Sequence, residues 1–213
     1  MKQLIKKIRI NTTLTVVTGL HIGGSSDNVE IGGVDSPVIK VATRENQPYI
    51  PGSSLKGKMR CLLEQVNGAT EVGQCEKVNN LFGLDKKNMP SKLIVRDAYL
   101  TKASVCAFKD CDGLDMPFTE SKYENTIDRV HGATIKGGIR QQERVPAGAQ
   151  FGIEMIINVW EDDKADALLQ MLNDAIRLIE NDYLGGSGSR GYGQVKFSEL
   201  DIKELSAENN WKA

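Results

Sequence analysis

An α+β fold is predicted by three observations. Four stretches read as strands, two of them alternating apolar and polar residues at the two-residue period of a half-buried strand, two others carry apolar residues at helical spacing, and these run in the order strand-helix-strand, arm, strand-helix-strand. Residues 8–17 form the first strand, with Ile8, Ile10, Thr12, Leu14 and Val16 alternating against Arg9, Asn11, Thr13 and Thr15. The strand runs into a glycine-broken segment, residues 19–26, that leaves His21 beside a Ser/Asp loop reaching Asp35. His21 is placed either to touch RNA or to cap the strand, and Asp35, before Ser36-Pro37, is by itself a turn former.

The first helix starts near Ser53 or Ser54, either of which can cap it, and carries Leu55, Met59, Leu62, Leu63 and Val66 on one stripe. Lys56 and Arg60, four apart, flank that stripe with Lys58 between them, close to free N–H groups that favour anions. A phosphate contact is the functional reading and a solvated charged face the structural one. Gly57 costs a helix about 1 kcal/mol relative to alanine, which points to close approach of another backbone there.

Residues 92–100 read as the second strand, with Asp97 expected to answer a nearby donor. Residues 101–147 break the pattern: a polar arm holding Tyr123, Asp128, Arg129, His131, Lys136, Arg140 and Arg144, with Phe108, Ile127 and Val130 as apolar anchors. A third strand over 150–160, a helix over about 164–182 and a last strand over 194–202 follow, and the tail 206–213 is polar. This order is that of the ferredoxin-like fold shared with RNA-recognition-motif domains, and the fold alone does not assign a function. The chain is expected to be one domain over 1–213, interrupted by a loop insertion at about 21–50 and by the arm.

The glycine-rich link before the last strand holds the strongest local signal. Across Gly185, Gly186, Ser187 and Gly188 side chains are nearly absent, so successive N–H groups can form an anion-holding concavity. Ser189, Arg190, Gly191 and Tyr192 follow, with Arg190 supplying a planar donor fork suited to phosphate. The structural alternative is a helix-to-strand turn. Gly186-x-Gly188-x-x-Gly191 matches the dinucleotide fingerprint in spacing, but it follows a helix and opens a strand, the reverse of that motif; a phosphate-binding P-loop is excluded because no Gly-Lys-Ser or Gly-Lys-Thr closes the run.

A net charge of −1 excludes a globally basic nucleic-acid binder, so any basic surface is local. Residues 1–60 carry nine Lys/Arg against four Asp/Glu, a local balance of +5. Apolar runs are too short to span a membrane, no secretory signal is present, and the expected location is the cytoplasm. Cys61, Cys75, Cys106 and Cys111 form no CxxC pair, which argues against a zinc knuckle.

Three motifs converge: Gly19-Leu20-His21-Ile22-Gly23-Gly24, the Pro51-Gly52-Ser53-Ser54-Leu55-Lys56-Gly57-Lys58 helix start, and the glycine link with Gly188-Ser189-Arg190-Gly191-Tyr192-Gly193. Together with Asp35-Ser36-Pro37, Leu81-Phe82-Gly83, Arg96-Asp97-Ala98, Thr126-Ile127-Asp128-Arg129 and Glu143-Arg144, they resemble the RAMP-superfamily CRISPR proteins, and within them the repeated backbone subunit of type III-A (Csm) effector complexes. The resemblance covers essentially residues 8–197. It implies a ferredoxin-like palm with a thumb-like arm, stacked in several copies along a CRISPR RNA beside a large polymerase-like subunit, a small helical subunit and end-capping RAMP subunits. It further implies cleavage of complementary target RNA at regular intervals, dependent on a loop aspartate that Asp35 matches. The guide-binding positions fall on His21, on the helix start with Ser53, Ser54, Lys56, Lys58 and Arg60, and on the glycine link; Arg129 lies in the thumb motif.

Displacing a nucleotide from the stack frees its 2′-hydroxyl to align with the adjacent phosphorus. Asp35 then either holds a divalent metal, Mg2+ or Mn2+, or takes the hydroxyl proton; metal positioning is the preferred role because an exposed loop carboxylate is a poor base. Two alternatives stay open: a non-catalytic RNA-binding scaffold, and a guide-processing RAMP endonuclease using a histidine, for which only His21 and His131 are available and neither belongs to a recognisable acid–base pair. One departure from the resemblance is the glycine-containing stretch 131–138 within the arm.

Overall fold

The computed structural model describes residues 2–24, 34–209 and 211. Its organising strand is β1 (Leu4–Val16), whose alternation of buried and part-exposed residues follows the apolar alternation of the sequence. After it come β2 (Lys40–Val41), β3 (Gln47–Ile50), α1 (Gly52–Val66), α2 (Glu76–Phe82), β4 (Leu93–Val95), β5 (Ala98–Leu100) and α3 (Lys102–Phe108). A hairpin of β6 (Glu120–Ile127) and β7 (Thr134–Arg144) follows, then β8 (Gln150–Trp160), α4 (Ala165–Glu180), β9 (Val195–Phe197) and β10 (Asp201–Ser206).

The main sheet runs β10-β1-β8-β5-β3-β2, with β4 also on β8 and β9 also on β1, and every described pairing in it is antiparallel. Grouping β4 with β5 and β9 with β10 gives the order last, first, third, second, which is the expected ferredoxin-like sheet. The apolar face of that sheet is covered by α1 and α4, which touch each other. Ile8, Ile10 and Leu14 of β1, Leu55 and Met59 of α1, and Leu172, Ala175 and Ile179 of α4 are all at most 1% exposed and belong to one core. Each such aliphatic side chain contributes about 1.5–3 kcal/mol of burial, so the sheet-on-helix layer holds the palm together.

Several expectations need correction. The helix start is not capped by Ser53 or Ser54: α1 begins one residue earlier, at Gly52, with Pro51 in the capping position and no side-chain cap from it. The Gly52 N–H instead donates to Asp97 Oδ1 at 2.8 Å, so Asp97 answers a donor as expected, and the donor is a helix end. Val66, assigned to the buried stripe, is 68% exposed because it falls in the last turn, beyond the sheet. Gly57 shows no close backbone: a Cβ there would meet nothing within 4 Å among the described residues. The second strand is two, β4 and β5, because the chain breaks at Arg96-Asp97 to reach α1; the last is also two, β9 and β10. Within the arm, Ile127 (56%) and Val130 (85%) are exposed rather than anchoring, since a two-stranded ribbon has no second layer to bury them. Much of the Ser/Asp loop, residues 25–33, lies outside the described residues.

Candidate nucleic-acid interface and cleavage site

At one end of the sheet, the segment following β1 is held between the glycine link and the foot of the hairpin. Leu20 and Val145 exchange two backbone hydrogen bonds (3.0 and 2.8 Å), while Gly186 N–H donates to His21 O (2.8 Å) and Gly193 N–H to Gly19 O (3.0 Å). Gly185 is required here: it has φ +80°, and a Cβ would stand 2.2 Å from His21 O. The glycines therefore make room for the chain's own backbone at Gly185, which accounts for part of what the sequence suggested was room for a partner. Ser187 is left-handed at φ 61°, a short 3-10 turn covers Gly188–Arg190, and the N–H groups of Ser187, Gly188 and Ser189 have no acceptor among the described residues. Those three amides are what remains of the predicted anion-holding concavity.

His21 is 8% exposed, with Nδ1 2.7 Å from the Glu143 carbonyl oxygen and Nε2 3.3 Å from Ser36 Oγ. A carbonyl can only accept, so Nδ1 carries the proton and Nε2 accepts from the serine. The His21 ring thus ties the Glu143 backbone of β7 to the Asp35 segment at Ser36, while its backbone carbonyl holds the glycine link. His131 differs from expectation in having a carboxylate partner, with Nδ1 2.7 Å from Asp128 Oδ2, because the turn closing the hairpin folds one onto the other. The His131 ring, the Val130 N–H and the His131 N–H hold the Asp128 carboxyl below the usual aspartate range.

Asp35 is exposed at the foot of the hairpin, where its Oδ2 accepts from the Gln141 N–H of β7 at 2.8 Å. The next residue forms a parallel bridge with Gln142, and Glu143 N–H donates to Ser36 O at 3.1 Å. Glu143, 1% exposed, accepts from Val38 N–H (2.8 Å) and Thr119 Oγ (2.7 Å) and pairs with Lys40. The chain following Asp35 is therefore fastened to β7 by a satisfied buried carboxylate, which sets where the Asp35 backbone leaves the hairpin foot. Its Oδ1 has no hydrogen-bond partner among the described residues.

The helix-start cations are spent on the protein. Lys56 donates to Ser91 Oγ (2.7 Å) and Leu93 O (2.8 Å), and burial, then Arg60, lower its pKa. Arg60 reaches Glu64 (2.9 Å), Gly83 O (3.0 Å) and Asn79 (3.0 Å). Lys58 pairs with Asp182 at 2.7 Å and lies 3.7 Å from the Tyr183 ring, beside the glycine link. Of the three cations expected to flank a phosphate, two thus turn inward in the chain by itself and the third braces α1 against the end of α4. Ser53 is exposed in the first turn and Ser54 half-buried. Arg129 stands exposed in the hairpin turn with Lys136 and Arg140 exposed on the same ribbon.

A cluster missed by the sequence reading joins the glycine link to the hairpin. Arg190 pairs with Glu124 (3.2 Å) and donates to Ser187 Oγ (2.6 Å). Tyr192, 1% exposed, has Lys122 4.5 Å and Arg144 4.8 Å from its ring centroid, and Arg144 also pairs with Glu120. Burial and the neighbouring Glu124 carboxylate push the Tyr192 phenol up to about 12. Burial raises Glu124, but Tyr192, Arg190 and Lys122 together outweigh it and hold that carboxyl below the usual range. The available signal was the alternation that puts Glu120, Lys122 and Glu124 on one side of β6; without the hairpin partner it read as a polar arm.

Among the described residues no group of three or more His, Cys, Asp and Glu is placed to hold a metal on its own, and no helix is long and apolar enough to cross a membrane. The RAMP superfamily model matches residues 13–196. A protein of Methanocaldococcus jannaschii named CRISPR system Cms endoribonuclease Csm3 is 41% identical over 210 residues, covering 92% of this chain and 80% of its own. One of the same name from Streptococcus thermophilus is 41% identical over 203 residues, covering 91% and 88%. The crystal structure of a Csm3-Csm4 subcomplex from the type III-A CRISPR-Cas interference complex includes a chain that superposes with a TM-score of 0.62 at 30% identity, over 98% of this chain and 84% of that one. A type III-B Cmr-beta complex bound to cognate target RNA contains a chain with the same fold, TM-score 0.66 at 17% identity over 92% of this chain. With its sheet order, thumb-like hairpin and glycine link all in place, the chain belongs to the RAMP superfamily and, within it, to the Csm3 family.

Proposed function

We propose that this chain is the repeated backbone subunit of a type III-A CRISPR effector complex, that it binds the CRISPR RNA along its length, and that it cuts complementary target RNA at regular intervals through Asp35. The observation that carries the reading is the fixing of Asp35 at the hairpin foot: an exposed carboxylate, one oxygen anchored by Gln141 N–H and the other unpartnered among the described residues, stands beside the segment that links His21 to the glycine link. The exposed side of the hairpin, with Val130, Arg129 and Lys136, suits insertion against a nucleic-acid duplex. A nucleotide displaced by it would have its 2′-hydroxyl and phosphate presented to a carboxylate that does not need to move.

Asp35 fits a divalent cation of the Mg2+ or Mn2+ kind, which commonly takes one or two protein carboxylates and completes its shell with phosphate oxygens and water. Bound there, such an ion would supply neutralisation of charge at the scissile phosphate. Asp35 Oδ1 would hold it, while the Gln141 amide keeps Oδ2 aimed. The processing-endonuclease alternative finds little support, because His21 is 8% exposed and its ring is bonded within the protein.

The test is cleavage of target RNA by the reconstituted complex, with divalent metal present or chelated. Asp35→Ala is expected to abolish the regularly spaced products while the complex still assembles on guide RNA, and Asp35→Asn to do the same, since it keeps the shape but removes the charge. Undiminished products from intact complexes of Asp35→Ala would make the chain a scaffold. Full activity in chelator would remove the metal and leave Asp35 as base.

A further inference from the structure

The space between the glycine link and the hairpin foot holds more hydrogen-bond donors than acceptors. Arg190, Arg144, Lys122 and the Tyr192 hydroxyl converge there, and the acceptors facing them are the carboxylates of Glu124 and Glu120 and the Ser187 hydroxyl. Two buried donors, Arg144 Nε and the hydroxyl of Tyr192, whose side chain is 1% exposed, have no acceptor in good hydrogen-bond geometry among the described residues, the Glu124 carboxylate acting on the phenol only through a looser contact. A buried donor without an acceptor is costly, so two in one place mark a site short of negative charge. Glu124 partly fills the deficit. Its side chain is 10% exposed, whereas that of Arg190 is 52% exposed and reaches out from the glycine link to meet it.

We propose that Glu124 is an internal stand-in for an RNA phosphate, holding Arg190 beside Tyr192 in the unbound chain and yielding it when RNA passes between the glycine link and the hairpin foot. Two oxygens of a phosphate can meet the planar donor fork of a guanidinium as a carboxylate does, and a phosphate brings the negative charge that the two buried donors lack. Exchange of Glu124 for phosphate removes the ion pair between β6 and the glycine link, leaving Lys122 over Tyr192 as the remaining tie. Glu124 stands directly across from Arg140 and one residue from the Tyr123↔Gln141 pair, and the Gln141 amide holds Asp35. Occupancy of the phosphate site is thereby connected to the strand that aims Asp35. The inference rests on the RNA-binding reading above and adds Lys122, Arg144 and the competing Glu124 to it.

The experiment is titration of the full chain with a labelled single-stranded oligoribonucleotide at fixed moderate salt, with thermal unfolding as a check on folding. Glu124→Gln is expected to bind RNA more tightly, on the order of threefold, because an ion pair of this exposure that must be broken is removed. In an Arg190→Ala background the same change is expected to give no gain. Were Glu124 merely structural, Glu124→Gln would bind no better than wild type, or worse, and the inference would fall while RNA binding by the wild type left the broader reading standing. If the wild-type chain did not bind RNA at all, both would fall.

Discussion

The start of α1 and the tip of the hairpin carry similar charges and dispose of them in opposite ways. At the helix start, three cations within five residues sit on a capped, glycine-containing turn, the local picture of a phosphate site; yet Lys56 and Arg60 turn inward and Lys58 is taken by Asp182. At the hairpin tip, Arg129, Lys136 and Arg140 are strung along a polar ribbon with weak local signal, and all three stand exposed. The difference lies in what surrounds them. A helix packed on a sheet offers carbonyls and carboxylates to any cation on its flank, whereas an isolated two-stranded ribbon has solvent on both faces. Positive charge in a sequence therefore predicts a nucleic-acid contact only when the fold leaves the charge unspent.

That contrast can be broken by measurement. The largest effect is expected from Arg60→Ala, which takes a donor from Gly83 O and Asn79 Oδ1 and leaves Glu64, 5% exposed, with the Gly73 N–H but without its cation. Loss of one partner of such a pair should cost about 3 kcal/mol in urea unfolding; an unchanged midpoint, with weakened RNA binding, would return Arg60 to the phosphate role. Asp97→Ala should cost about 1 kcal/mol, the value of a lost helix cap, because only the Gly52 N–H loses its acceptor. If α1 were instead held by the serines at 53 and 54, that variant would be neutral and Ser53→Ala would not. The smallest effect on stability belongs to Arg129→Ala, within about 0.5 kcal/mol. The same variant should reduce the slope of log affinity for RNA against log salt by about 1, one phosphate contact, and a slope equal to wild type would sharpen the contrast by moving RNA away from the tip.

Acid should act on the tip in a defined direction. Because the Asp128 carboxyl is held below its ordinary range, its contacts to His131 and Val130 are fully present above the unfolded aspartate value and are lost as pH falls through the lower folded one. The loss is local, and the His131 ring resonances followed by NMR would report it.

Much of the fold was legible in the chain because its signals are periodic and local. β8 is found over the predicted residues 150–160, β1 and α4 come within a few residues at each end, and the order that makes the sheet ferredoxin-like follows from the succession of strand and helix patterns. The two-residue β2 and the longer but polar β6 and β7 were not legible, since too few apolar alternations distinguish them from loop. The site was legible as a set of motifs and not as an arrangement. Asp35, His21 and the glycine link could be named, but the amide that holds Asp35 lies 106 residues further along the chain and the carbonyl that orients His21 lies 122 away.

By itself, then, the sequence determined which segments bury an apolar face and where glycine must permit an unusual turn, because period and residue type act within a few neighbours. Only the tertiary structure decided which carboxylate meets which cation. Ion pairs and hydrogen bonds depend on distance in space, and Arg190 finds Glu124, 66 residues earlier, only after the hairpin has folded back across the glycine link.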